Sequence, residues 1–128
     1  MPINPKKIPD ECSLLRRVTP SQIVPDQNLG QGKRRLSSGA FRARDLSTDA
    51  ECLLQEAGHD WTYTLRQYPE FYLVRFSAAF ARGNNQVVEH RPLDDNEFHT
   101  EVVGSKSDPV CNAFRMAAEW VKKPDDVD

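Results

Sequence analysis

Hydrophobic positions fall into short runs divided by turn formers, and the period of the runs changes along the chain. In Leu14-Leu15-Arg16-Arg17-Val18, alternation puts Leu14, Arg16 and Val18 on one face of an extended segment and Leu15 with Arg17 on the other. That predicts a first strand. Phe71-Tyr72-Leu73-Val74-Arg75-Phe76 has one polar interruption, which suits a central strand buried on both faces. Gln86-Val87-Val88-Glu89, after a turn at Gly83-Asn84-Asn85, predicts a further strand. Phe98-His99-Thr100-Glu101-Val102-Val103, ended by Gly104, predicts another.

Other segments carry helix signals. Thr19 before Pro20 reads as a cap for one short turn over 20–24. Thr48 with Glu51 three residues on fits a capping box, opening a helix that Gly58 closes. Residues 60–67 predict a second short helix stopped by Pro69, and Ser37-Ser38-Gly39-Ala40-Phe41 a strand start or a structured turn. Asp108-Pro109 opens the clearest helix: Cys111, Phe114, Ala118 and Val121 recur at helical spacing, Ala117 widens the stripe, and Lys122-Lys123-Pro124 ends it. The implied class is α+β, a mixed or antiparallel sheet with two or three helices and a C-terminal helix. Residues 13–123 form the domain, behind an extended proline-containing arm (1–12) and before a frayed acidic tail (124–128). Residues 25–35 read as a mobile basic loop.

A length of 128 residues fits one such domain. The three cysteines are an odd count; Cys12 and Cys52 have no evident partner, which argues against a secreted disulfide framework. Lys6 and Lys7 are followed by no apolar run, and no stretch approaches the roughly 20 apolar residues of a membrane span. Together these predict a soluble cytoplasmic protein with no membrane contact.

Charge is polarised. Residues 1–44 carry nine basic and three acidic side chains; residues 45–128 carry eight basic and sixteen acidic. Either the halves neutralise each other across one surface, or Arg16, Arg17, Lys33, Arg34 and Arg35 form a patch for an anionic ligand or an acidic protein surface. A pI near 5.9 makes nucleic acid the less favoured partner.

No phosphate loop, Cys-x-x-Cys, His-Glu-x-x-His or Gly-x-Ser-x-Gly is present. The candidate chemistry is local. His99 and Glu101 share a strand face, an imidazole beside a carboxylate suited to proton transfer, or else a satisfied structural histidine. A metal at His99 would need His90, Asp94 or Asp95 as a further ligand, and no metal is expected. Cys111 in a helix's first turn could pair with His99, or lie inert in the core. Arg16 and Arg17 with Ser37 and Ser38 supply a cation and short hydroxyl donors suited to phosphate.

Leu14-Leu15-Arg16-Arg17-Val18, Ser37-Ser38-Gly39-Ala40-Phe41, Leu46-Ser47 and His99-Thr100-Glu101-Val102-Val103-Gly104 together resemble a family of small uncharacterised bacterial proteins, which implies no activity. A second resemblance is to the arginine–serine–glutamate class of mono-ADP-ribosyltransferases. It implies Arg17 as the first-strand arginine, Phe41 as the aromatic of the second motif and Glu101 as the late carboxylate. The serines of that motif are missing after Phe41, and His99 stands where the class has its first glutamate. Three functional expectations follow. One is a binding or accessory module for an anionic partner or nucleotide-type ligand. Another is a nucleotide- or NAD-using transferase-like enzyme with His99 or Glu101 in its site. The third is a protein-interaction domain contacting through Trp61, Tyr63 or Tyr68. No cofactor is indicated.

Overall fold

Strand β1 (Ser13–Val18) lies near the middle of an antiparallel sheet, because both of its faces are apolar: Leu14 and Leu15, pointing opposite ways, are completely buried. The computed structural model describes residues 4–26 and 32–127. Two short strands, β2 (Ile23–Pro25) and β3 (Arg34–Leu36), pair with each other as a separate ribbon. The remaining strands are β4 (Asp45–Ala50), β5 (Tyr72–Ser77), β6 (Val87–His90), β7 (His99–Val103) and β8 (Glu119–Lys122). With β1 they form six strands in the order β6-β7-β4-β1-β5-β8, every pair antiparallel. Helices α1 (Glu51–Glu56), α2 (Ala78–Gly83) and α3 (Asp108–Ala117) complete an α+β fold.

The two faces differ. The inner face carries Leu14, Arg16, Leu46, Thr48, Phe76 and Val102, and α3 packs over it through Phe114. Phe114 stacks on Phe41 at 5.8 Å and meets Phe76 and Phe80 edge-on at 4.9 and 5.1 Å, an aromatic cluster that fixes α3 to the sheet. The outer face carries Leu15, Arg17, Ser47, Asp49, His99 and Glu101; a 3-10 turn over Trp61–Leu65 lies on part of it, burying Thr64 and Leu65. Among the described residues no helix is long and apolar enough to cross a membrane.

Several expectations need correction. Thr48 is not a cap: β4 continues to Ala50, with Thr48 opposite Thr100 and its hydroxyl donating to the Thr100 carbonyl at 2.7 Å. A β-branched residue with a ladder partner on β7 fits the pleated strand better than a helix start. The helix is therefore only Glu51–Glu56, with Gly58 (φ +84°) turning the chain beyond it. Residues 60–67 form a 3-10 turn capped by Asp60 rather than an α-helix. The C-terminal helix stops at Ala117, and Glu119–Lys122 becomes an edge strand against β5, whose buried Val74 needs that pairing. Part of the expected loop over 25–35 is strand β3; residues 27–31 of it lie outside the described residues, as do 1–3 and 128.

The ends are docked rather than frayed. Val127 is buried, Asp126 grips the Arg34 guanidinium with both carboxylate oxygens, and the Arg34 amide donates to the Asp126 carbonyl. That contact holds Asp126 below the usual carboxylate range and raises Arg34. At the other end Ile8 is buried and Asp10 pairs with Arg82 at 2.6 Å. Cys12 and Cys52 form a disulfide, Cα atoms 5.5 Å apart, joining the start of β1 to the first turn of α1. A sequence separation of 40 hides that proximity from any local spacing rule.

Gly104, just past β7, adopts φ +153°, and a Cβ there would stand 2.7 Å from Oε1 of the buried Gln86. Gln86 cannot swing aside without breaking donations from Nε2 to the Asn84 and Ser105 carbonyls. Gly104→Ala should therefore cost about 2–3 kcal/mol through strain and overpacking together. Urea unfolding checks this; a midpoint like the parent's would mean that the turn relaxes freely.

Candidate functional site

Strand register assembles the site. Leu15 lies opposite Asp49, and alternation puts Arg17 on the same sheet face, beside a hollow that Ser47 also lines. Across the next ladder Ser47 faces Glu101 and Asp49 faces His99. Arg17, Ser47, Asp49 and His99 thus share the outer face, and with Thr64 from the 3-10 turn they line one small hollow of about 10 Å³. That volume holds about one water, so a ligand would rest across its mouth.

Asp49 forms the floor. Only 4% exposed, it accepts from Thr64 Oγ1 at 2.8 Å and Asn96 Nδ2 at 2.7 Å. His99 is held by backbone: its Nδ1 lies 3.0 Å from the Arg91 carbonyl. A carbonyl only accepts, so Nδ1 carries a proton, and in the neutral ring Nε2 presents its lone pair to the Ser47 hydroxyl at 3.3 Å. Glu101 Oε2 lies 3.8 Å from the same Nε2. Arg91 bridges Glu89 and Glu101 at 2.6 and 2.5 Å, and these acids, Glu89 foremost, raise its guanidinium.

Arg17 differs from its neighbours. Its guanidinium sits over the Tyr68 ring at 4.7 Å and makes no ion pair among the described residues. Tyr68 itself stacks on Phe71, which gives that arginine a firm apolar backing.

The other basic candidates are not at this place, and the expected five-residue patch does not assemble. Arg16 points to the inner face, where Nε and Nη1 donate to the Ala40 and Ser47 carbonyls, each at 3.1 Å. Burial, with repulsion from Arg17, pushes its pKa down to about 10. It is a structural strut. Arg34 is spent on Asp126, while Lys33 and Arg35 belong to the β2–β3 region, where Arg35 Nη1 donates to the Leu36 carbonyl at 3.2 Å. Polarised charge is in part internal neutralisation: Arg34–Asp126 and Arg42–Asp108 both join the basic half to the acidic half.

Ser37 and Ser38 belong to the inner layer. Ser37 caps the 3-10 turn over Ser38–Phe41, accepting from the Gly39 amide, and that turn places Phe41 in the aromatic cluster. The sheet separates these hydroxyls from Arg17, so the expected convergence of Arg17, Ser37 or Ser38, and Glu101 does not occur. Cys111 is buried in α3 with its thiol toward the Lys106 carbonyl, on the face opposite His99, and forms no pair with it. His90 is satisfied by backbone at both nitrogens, accepting from the Lys6 amide and donating to the Glu97 carbonyl. No group of three ligating side chains capable of holding a metal exists among the described residues.

Sequence reasoning passed over Ser47, Asp49, Thr64 and Arg91. Reading 45–50 as a strand would have put Ser47 and Asp49 beside Arg17 by alternation alone; the Thr48–Glu51 capping pattern masked it. Compared with family models, with characterised proteins and with solved structures, the chain finds no match.

Proposed function

We propose that this protein is a small binding module for an anionic group, a phosphate or carboxylate carried by a ligand or partner, recognised at the outer-face hollow by Arg17. The observation that carries this reading is that Arg17 makes no ion pair among the described residues, beside two polar side chains, Ser47 and His99, on the same hollow. An arginine lying against an aromatic ring keeps its planar donor edge free for a two-pronged contact with an oxyanion. The shallow site favours a group presented at the end of a larger molecule over an enclosed cofactor.

The transferase-like alternative receives less support, because Phe41 and Ser37 lie in the inner layer while Arg17 and Glu101 lie on the outer face. An interaction surface built on Trp61, Tyr63 and Tyr68 is also less favoured. Tyr63 is engaged with His59, Phe98 and Arg66, and the exposed Val87, Leu93 and Met116 sit on separate elements. The Cys12–Cys52 bond speaks for an oxidising compartment over the cytoplasm.

Titration with inorganic phosphate and then a nucleoside monophosphate, followed by amide chemical shifts, tests the reading. Shifts should centre on Arg17, Ser47 and His99 and weaken steeply with added salt. Arg17→Ala should reduce affinity at least tenfold, a loss of about 1.5–3 kcal/mol for a charged hydrogen bond. Arg17→Lys should retain part of it, and Arg35→Ala should retain all of it. Equal losses from Arg17→Ala and Arg35→Ala would point to diffuse attraction and remove the site.

A further inference from the structure

We infer that Ser47 and His99 form a nucleophile–base dyad able to cleave small carboxylic esters at the outer-face hollow. The backbone fixes which nitrogen of the neutral His99 ring carries the proton. Nδ1 of His99 donates to the Arg91 carbonyl, 3.0 Å away, so in the neutral ring the other nitrogen accepts. What it accepts from is a side-chain hydroxyl, Ser47 Oγ at 3.3 Å. His90, one strand over, offers the contrast: backbone groups occupy both of its nitrogens, and it has no proton left to exchange with a side chain.

The remaining groups match what a dyad requires. Nucleophile within reach of base, and base oriented by a third group, is the general arrangement for activating a hydroxyl. The orienting role falls to the Arg91 carbonyl. Glu101, 3.8 Å from Nε2, stabilises the imidazolium formed when Nε2 takes the serine proton, and Arg91 fixes Glu101 in turn. Ser47 and His99 sit on adjacent β-strands of the sheet, so their separation does not depend on a loop.

Ser47 Oγ bonds to the ester carbonyl carbon while its proton passes to His99 Nε2, and the carbonyl electron pair moves onto oxygen beside the Arg17 guanidinium. That pair returns as the ester C–O bond breaks, and the departing alkoxide takes the proton from Nε2. Water then attacks the acyl-serine by the same route, giving up a proton to Nε2, which returns it to Ser47 Oγ as the acid leaves. Ester and water become acid and alcohol. Ser47, His99 and Arg17 are the catalytic residues; Glu101 and Arg91 are positioning residues. Because the hollow holds about one water, the reacting ester group lies across its mouth, with the rest of the substrate along the sheet.

This activity shares Arg17 with the anion site and to that extent rests on the same reading, but its bond formation and proton transfer run between Ser47 and His99. A fluorophosphonate probe isolates that step, since Ser47 Oγ bonds to phosphorus, fluoride leaves and the proton goes to Nε2. The intact folded chain should gain a single adduct, mapped by mass spectrometry to Ser47. Urea-denatured chain and Ser47→Ala should gain none at that position. His99→Gln should slow labelling at least a hundredfold and Glu101→Gln about tenfold, with unfolding curves verifying that both variants remain folded. Absence of an adduct on the folded parent, or equal labelling of parent and His99→Gln, overturns the dyad. Phosphate binding without labelling overturns the dyad alone, and labelling without phosphate binding overturns the anion site alone.

Discussion

Removing the Cys12–Cys52 bond, by reduction or by the double change Cys12→Ala and Cys52→Ala, should lower the unfolding free energy by about 4 kcal/mol. The figure follows from the chain freedom that a cross-link across a sequence separation of 40 withholds from the unfolded state. The bond ties the short helix α1 to the start of the central strand β1. Cys12 is buried beside the first strand, its carbonyl accepts from the Ala78 amide, and the Cys52 amide approaches its sulfur at 3.4 Å. Since α1 has only six residues and no side-chain cap, the covalent tie joins the Glu51–Arg75 ion pair in holding its N-terminal end. Urea unfolding with and without reductant measures the effect, after mass analysis shows the thiols free. Reduced parent and double variant should unfold at the same concentration, well below the oxidised parent. Coincident curves for oxidised and reduced parent would show that the cross-link constrains nothing the packing does not already hold.

Sequence and structure agree where one local rule acts unopposed. β1, β5 and β7 were legible because each is a run of apolar or alternating residues with a clear turn nearby, and tertiary packing reinforced the local preference. β4 was not, because Ser47-Thr48-Asp49 has the composition of a helix start and its strand character comes from two neighbours distant in sequence. β8 was not, because Ala118 and Val121 continue the apolar stripe of α3 although the chain breaks to cover the open edge of β5. The site divides along the same line. Arg17, His99 and Glu101 could be singled out by their chemistry, but their partners Ser47 and Asp49 could be recognised only once β4 was known to be a strand. Ser37, Ser38 and Arg16 were attractive by type and close in sequence to Arg17. The alternation of β1 turns Arg16 to the opposite face, and the sheet then keeps the inner-layer pair of serines from the hollow.

Asp49→Ala should be nearly as damaging as loss of the disulfide, about 3–5 kcal/mol, because it removes a buried charged acceptor from two donors at once. Thr64 and Asn96 reach Asp49 from the 3-10 turn over Trp61–Leu65 and from the loop before β7, so one carboxylate fastens two outer-face segments to the sheet. Both donors would then face a cavity too small to admit a well-bonded water network. Asp49→Asn should recover at least half of the loss: its carbonyl still accepts from Asn96, and its amide can donate to the Thr64 hydroxyl. Urea unfolding gives the energies, and amide exchange should report faster opening of 61–65 in the alanine variant than in the asparagine one. The same comparison bears on function. If Asp49 works only by holding these segments, phosphate affinity at Arg17 and probe labelling at Ser47 should fall in Asp49→Ala and return in Asp49→Asn. A carboxylate that mattered by its charge would leave both variants equally impaired. Alanine and asparagine variants within 1 kcal/mol of the parent, about the size of one ordinary hydrogen bond, would mean that neither segment depends on Asp49.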